Sequence, residues 1–174
     1  TDGIYFNAVD GYYNFDMDAQ NKFVTVRRAD AEGNTATYAD EGAIILMGWG
    51  VAHPVMTSQV GWENGLYLTL AEVEDGVYQF SGKAVAETDG TTGGGAWRYD
   101  YLSFKFLGQA GWGAEYDKVT LTDEAKKYLQ AAGNVELAAG GTLEQGAEYV
   151  MTVTECTPLD ANNKFNCTID FRKK

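Results

Sequence analysis

The 174-residue chain has a single histidine, two cysteines and two prolines, and each shortage excludes something. One histidine, His53, cannot anchor a histidine-rich metal site, and its place just ahead of Pro54 reads as a loop or turn. Nowhere do about 20 consecutive apolar residues occur, the length a helix needs to cross a bilayer. The chain opens at Thr1 with no basic-then-apolar targeting segment, so export, if it occurs, is expected to have removed that segment. Basic residues are scarce too, 13 against 25 acidic ones, for a formal net charge of -12. Such a surface repels a phosphate backbone and the anionic face of a membrane, and no nucleic-acid partner is expected.

Catalytic signatures are also missing. Carboxylates are numerous, but no spacing singles out an acid and base pair. No nucleophile elbow, phosphate-cradling glycine loop or dinucleotide fingerprint is present, and "GGGAW" lacks the strand-to-helix context those motifs require. Asp16-Met-Asp18-Ala-Gln20 imitates the first half of a calcium loop, yet Lys22 and Arg27 stand where ligands belong, and a solvated strand end accounts for it. The chain is therefore expected to be no enzyme and to need no cofactor and no metal.

What is abundant is aromatic and glycine content: 13% Phe, Trp and Tyr, and 21 glycines. That combination suits short aromatic strands punctuated by turns. The first forty residues read as "GIYFNAV", "GYYNFDMD" and "KFVTVRRA". "AIILMGW" from Ala43 is a continuous apolar run, as in a central strand buried on both faces. "LYLTLAEV" and "VYQFSGKAVA" follow with meander spacing, and "WRYDYLSFKFLG" places Leu102, Phe104 and Phe106 on a core face. "ETDGTTGGGA" has no hydrophobic period, so the segment from Thr88 to Gly95 is expected to be poorly packed and mobile. "TDEAKKYLQAAGN" predicts the one short helix, capped by Thr122, stopped by Gly133 and docked through Tyr128 and Leu129. The expected fold is an all-β antiparallel sandwich of the immunoglobulin-like type. Residues 1–40 form an N-terminal aromatic part, expected to pack on the same domain, and 41–174 form the sandwich. Near the C-terminus, a hairpin centred on Ala161 and Asn162 sets Cys156 opposite Cys167. The pair can hold a disulfide or remain two buried thiols. Asn166-Cys-Thr168 also matches the N-glycosylation acceptor pattern, which matters only in a eukaryotic secretory pathway.

The dipeptide Gly-Trp recurs at Trp49, Trp62 and Trp112. A glycine-rich loop is a poor place for a core residue, whereas an indole held by backbone turns offers a rigid apolar plane to the C–H faces of a sugar. Hydrogen-bonding neighbours stand beside these indoles, Glu63 and Asn64 next to Trp62, Gln109 and Glu115 around Trp112. Trp97 has Arg98 and Asp100. Small β-sandwiches also fill their cores with tryptophan, and two of the four are expected there.

The succession "ILMGWG", "GWENGLYLTL", "GVYQFSG", "LSFKFLG", "GWGAEY" and "GAEYVMTVTE" resembles modules of the SusE/SusF type, the starch- and glycan-binding outer-membrane lipoproteins of gut Bacteroidetes. The resemblance runs from about Ala43 to Phe171. It implies a β-sandwich without catalysis, a lipid-anchored place at the cell outer membrane with the anchor outside this chain, and an oligosaccharide or polysaccharide ligand. By matching position it makes Trp49, Trp62 and Trp112 the aromatic platform and Lys105 a hydroxyl partner, beside Glu63 and Asn64. Two parts fall outside the pattern, the Thr88 to Gly95 insertion and the first forty residues. A second reading is a structural or adhesive, pilin-like sandwich whose N-terminal strands pair with an exposed edge of another chain.

Overall fold

The computed structural model describes residues 8–19, 23–52, 59–63, 65, 67–87 and 96–174. The expected mobile loop from Thr88 to Gly95, together with His53 and Asn64, lies outside the described residues. Strands β1 (Tyr12–Asp18) and β2 (Phe23–Ala29) form a two-stranded antiparallel sheet of their own. A single helical turn, Tyr38–Glu41, leads into β3 (Ile45–Ala52), β4 (Gln59–Gly61), β5 (Leu68–Thr69), β6 (Ala71–Glu74) and β7 (Val77–Val85). The remaining strands are β8 (Ala96–Arg98), β9 (Ser103–Leu107), β10 (Tyr116–Leu121), β11 (Leu129–Ala132), β12 (Asn134–Leu137), β13 (Glu148–Thr154) and β14 (Phe165–Lys173).

The hydrogen-bonded path runs β10-β14-β13-β7-β8-β3-β9-β12-β11, with β4 and β5 on β3 and β6 on β7. Pairing is antiparallel except for β10 with β14 and β7 with β8. Strand β3 bends the path into two layers, because Ile45 to Trp49 pair with β9 while Val51 pairs with Trp97 of β8. The chain is an all-β sandwich, as its alternation and turn spacing indicate.

Between the layers lies one aromatic core. Leu102, Phe104 and Phe106 are buried as their period-2 spacing requires, and they meet Trp97, Met151 and Phe171 from the other layer. Trp97 is fully enclosed, with Phe80 and Phe171 edge-on at 4.8 and 5.2 Å between ring centroids. Burying each such ring contributes roughly 1.5–3 kcal/mol. Strand β3 is buried on both faces except at one residue, Trp49.

The helix expected over "TDEAKKYLQAAGN" is a correction. Thr122 does cap, its hydroxyl accepting the Ala125 N–H at 3.1 Å, but the turn it starts is a 3-10 turn of three residues, Ala125–Lys127. Leu129 to Ala132 then extend and pair with Leu137 to Asn134, and Gly133, at φ +94°, makes the tight turn between β11 and β12 instead of stopping a helix. Helix propensities differ by only tenths of a kcal/mol per residue, so a strand ladder that buries Leu129 against the core overrides them. Tyr128 still docks, edge-on to Tyr149 and Phe171.

Candidate functional site

The site begins with two glycines. At Gly48 (φ +136°) a Cβ would collide with the Ser103 carbonyl of β9, and at Gly50 (φ +82°) with the Tyr101 carbonyl. Strand β3 therefore approaches β9 this closely only where it carries no side chain. Trp49 stands between the two glycines, 44% exposed. Cross-strand partners share a face, and Trp49 pairs with Ser103 while Met47 pairs with Lys105. The indole of Trp49 and the side chains of Ser103 and Lys105 thus leave the sheet on its outer side, away from Phe104 and Phe106.

Gly61 of β4 pairs with Gly48, and a Cβ there would sit 3.7 Å from the Trp49 ring, so the indole lies over a residue with no side chain. Trp62 follows at once and stacks on Trp112, with centroids 6.0 Å apart and planes 14° from parallel. Trp112 projects from the loop after β9, which is closed by Gly108 N–H donating to the Ala114 carbonyl at 2.7 Å and by the Gln109 amide donating to the Trp112 carbonyl. Trp112 is 47% exposed. The ammonium of Lys105 is 6.0 Å from the centre of the Trp112 ring and 3.2 Å from a carboxylate oxygen of Glu115. Glu63 is exposed next to Trp62.

Three indoles that are far apart in the chain, together with Lys105, therefore share one outer face. Trp97 has the opposite environment, and only this one of the four tryptophans is fully buried where two core indoles were expected. Its neighbour Arg98 bonds Asp100 at 2.7 Å and Glu87 at 2.8 Å. The Arg98 hydrogen bond lowers the Asp100 carboxyl below its usual value, as a surface ion pair does.

The face continues beyond the residues that sequence patterns singled out. The Asn134 amide donates to the Ser103 hydroxyl at 3.0 Å, Glu136 lies opposite Ser103, and Gln130 lies opposite Glu136. A polar strip thus runs from Trp49 across β9, β12 and β11. Outward alternation exposes Ser103 and Lys105 to sequence reasoning, but Glu136 joins them only through strand register. Apolar planes edged by amide, ammonium and carboxylate groups can hold a polyhydroxylated ring face-on and bond its rim.

A separate cleft of about 830 Å³ lies where the β1–β2 hairpin meets the sandwich, lined by Arg28, Glu41, Glu72, Tyr78 and Leu159 among others. None of the sequence-identified site residues lines it. Burial, and then the nearby Glu72, push the Tyr78 hydroxyl far above its ordinary value, so it stays protonated. Asp16, from the calcium-like stretch, is engaged by the Arg27 guanidinium. Among the described residues, no three His, Cys, Asp or Glu side chains gather as a metal ion would need.

A two-layer β-sandwich with an aromatic strip on the outside of one layer defines the class. Within it, the chain belongs to the DUF5121 family, a domain of unknown function that matches residues 39–156. That span contains Trp49, Trp62, Lys105 and Trp112 and leaves the β1–β2 hairpin and β14 outside it. No curated protein and no solved structure matches the chain.

Proposed function

We propose that this protein is a non-catalytic carbohydrate-binding module of a bacterial cell-surface lipoprotein, with sugar rings stacking on Trp49, Trp62 and Trp112 and their hydroxyls bonded by Lys105, Glu115 and Glu63. One observation carries the reading. Indoles from β3, from the end of β4 and from the loop after β9 converge on one exposed face beside a lysine and a glutamate. Exposed tryptophan adds no core stability, and a cluster of it on a surface marks something that covers it. The place at the outer membrane rests on the SusE/SusF resemblance.

Affinity electrophoresis through gels containing α- and β-linked polysaccharides, followed by calorimetry with oligosaccharides of the retained type, tests this. Retardation by at least one glycan, lost in Trp112→Ala and Trp49→Ala proteins that melt normally, is the expected result. Absence of retention across a broad panel, with the protein folded, removes the proposal.

A second reading is favoured by a different region. On β1 and β2 the side chains of Met17 and Val24 share one face by register and are 79% and 39% exposed. An exposed apolar hairpin face suits a structural or adhesive role in which another chain lies against it. Full glycan binding by a protein lacking residues 1–36 would assign the hairpin to that separate role.

A further inference from the structure

Both cysteines are free thiols in the structure, and the local backbone brings them together. Regular pairing of β13 with β14 ends at Thr154 opposite Thr168. The next cross-strand contact is Thr157 N–H donating to the Asn166 carbonyl at 3.0 Å, answered by Asn166 N–H donating to the Thr157 hydroxyl at 2.9 Å. Two residues, Glu155 and Cys156, therefore oppose the single residue Cys167, which is a β-bulge. Glu155 takes the left-handed conformation, φ +52°, that such a bulge uses, and its carboxylate is held by the Thr168 hydroxyl at 2.6 Å. The extra residue re-aims the chain so that Cys156 turns inward. Cys167 belongs to the buried core and Cys156 packs against it.

Paired strands lie about 5 Å apart across the ladder, a separation that falls within the span a disulfide bridges. The hydroxyl of Tyr38 donates to the carbonyls of Cys156 and Thr157 at 3.1 and 2.9 Å and holds the backbone at the bulge.

We propose that Cys156 and Cys167 are oxidised to an intrachain disulfide during folding, which closes the 156–167 loop on the sandwich. The two thiols together lose two protons and two electrons as the S–S bond forms. The electron pair reduces the disulfide of a thiol–disulfide oxidant, a dithiol oxidase or oxidised glutathione, to two thiols. The step belongs to folding because both thiols are afterwards hard to ionise. Burial pushes Cys156 up to about 12 and Cys167 higher still, and exchange needs the thiolate. Once enclosed, the pair is protected in whichever state it was enclosed.

Full-length chain refolded from denaturant in a glutathione redox buffer, and chain exported to a bacterial periplasm, are each denatured without reductant and treated with iodoacetamide. The expected outcome is no alkylation at either cysteine until reductant is added, with the protein monomeric on a non-reducing gel. Reductant present throughout refolding should then lower Tm by roughly 5–10 °C in the wild type. It should leave Cys156→Ser unchanged. Alkylation of both cysteines in folded, never-reduced protein, glutathione adducts in place of the bridge, or an equal response of Cys156→Ser to reductant would each overturn the proposal. Cys167→Ala serves as the second control if Cys156→Ser folds poorly.

Discussion

Trp97 and Trp112 are the same residue type, about one β-hairpin apart in sequence, and the fold uses them in opposite ways. Trp97 is on the inner side of its layer, enclosed by Phe80, Phe104 and Phe171, with its indole N–H 3.4 Å from the Tyr149 carbonyl. Trp112 is at a loop tip between two glycines, stacked on Trp62, with the Lys105 ammonium 6.0 Å from its ring centre. Both sites satisfy an aromatic ring, one by burial and one by stacking at the surface. What separates them is backbone. Trp97 pairs within a strand ladder whose alternation points it inward, whereas Trp49 and the loop carrying Trp112 are held outward by glycine conformations and close strand contact. A tryptophan next to glycine is thus displayed here, and a tryptophan inside an alternating strand is core.

Substitutions can break this contrast or sharpen it. The largest effect should come from Trp97→Ala, which leaves a cavity in the aromatic core and should cost about 3–5 kcal/mol of stability by chemical denaturation. Whatever fraction folds should retain glycan as the wild type does. Gly50→Ala forces a Cβ onto the Tyr101 carbonyl at φ +82° and should cost about 2–3 kcal/mol. Because β3 must then move away from β9, it should also weaken glycan retention, which would tie the display of Trp49 to the close strand approach.

Alkali tests a half-buried phenol packed against the core. Burial, and then Cys167, push the Tyr116 hydroxyl up to about 12 from its ordinary 10.0. Below pH about 10 the folded and unfolded chains both keep this proton and stability is flat. Between about 10 and 12 only the folded chain keeps it, so stability falls as pH rises through that window. After allowance for the partial exposure of the ring, the loss should be no more than about 2 kcal/mol, and Tyr116→Phe should flatten the Tm profile above pH 10. The display side should respond differently again. Trp112→Ala should change stability by under about 1 kcal/mol and reduce glycan affinity about ten-fold. The smallest effect is expected for Met17→Lys on the exposed hairpin face, within about 0.5 kcal/mol by denaturation. A larger loss there would mean that the face is covered in solution.

Much of the fold was legible because alternation is a strong local signal. Leu102, Phe104 and Phe106 had to share a face, the apolar run through β3 had to be central, and the C-terminal hairpin followed from two alternating runs around a turn. The stretch after Thr122 misled because its composition favours a helix, while the partner strand that overrides it, Asn134–Leu137, exerts its effect only through pairing. The bulge at Glu155 was invisible too, since a left-handed glutamate has no composition signature.

The candidate site divides the same way. That some of the Gly-Trp indoles are displayed was legible from their glycine neighbours, because a residue without Cβ permits backbone conformations that turn its neighbour outward; that Trp49 and Trp112 are the exposed ones, with Trp62 half-buried, was not. That the three indoles meet, that Lys105 lies between Trp112 and Glu115, and that Ser103, Asn134 and Glu136 extend the face were decided by tertiary structure. The physical reason is register. A one-residue slip of β3 along β9 would put Trp49 on the opposite side of the sheet from Ser103 and Lys105, and the pairing of the two glycines Gly48 and Gly61 across β3 and β4 brings the second indole beside the first.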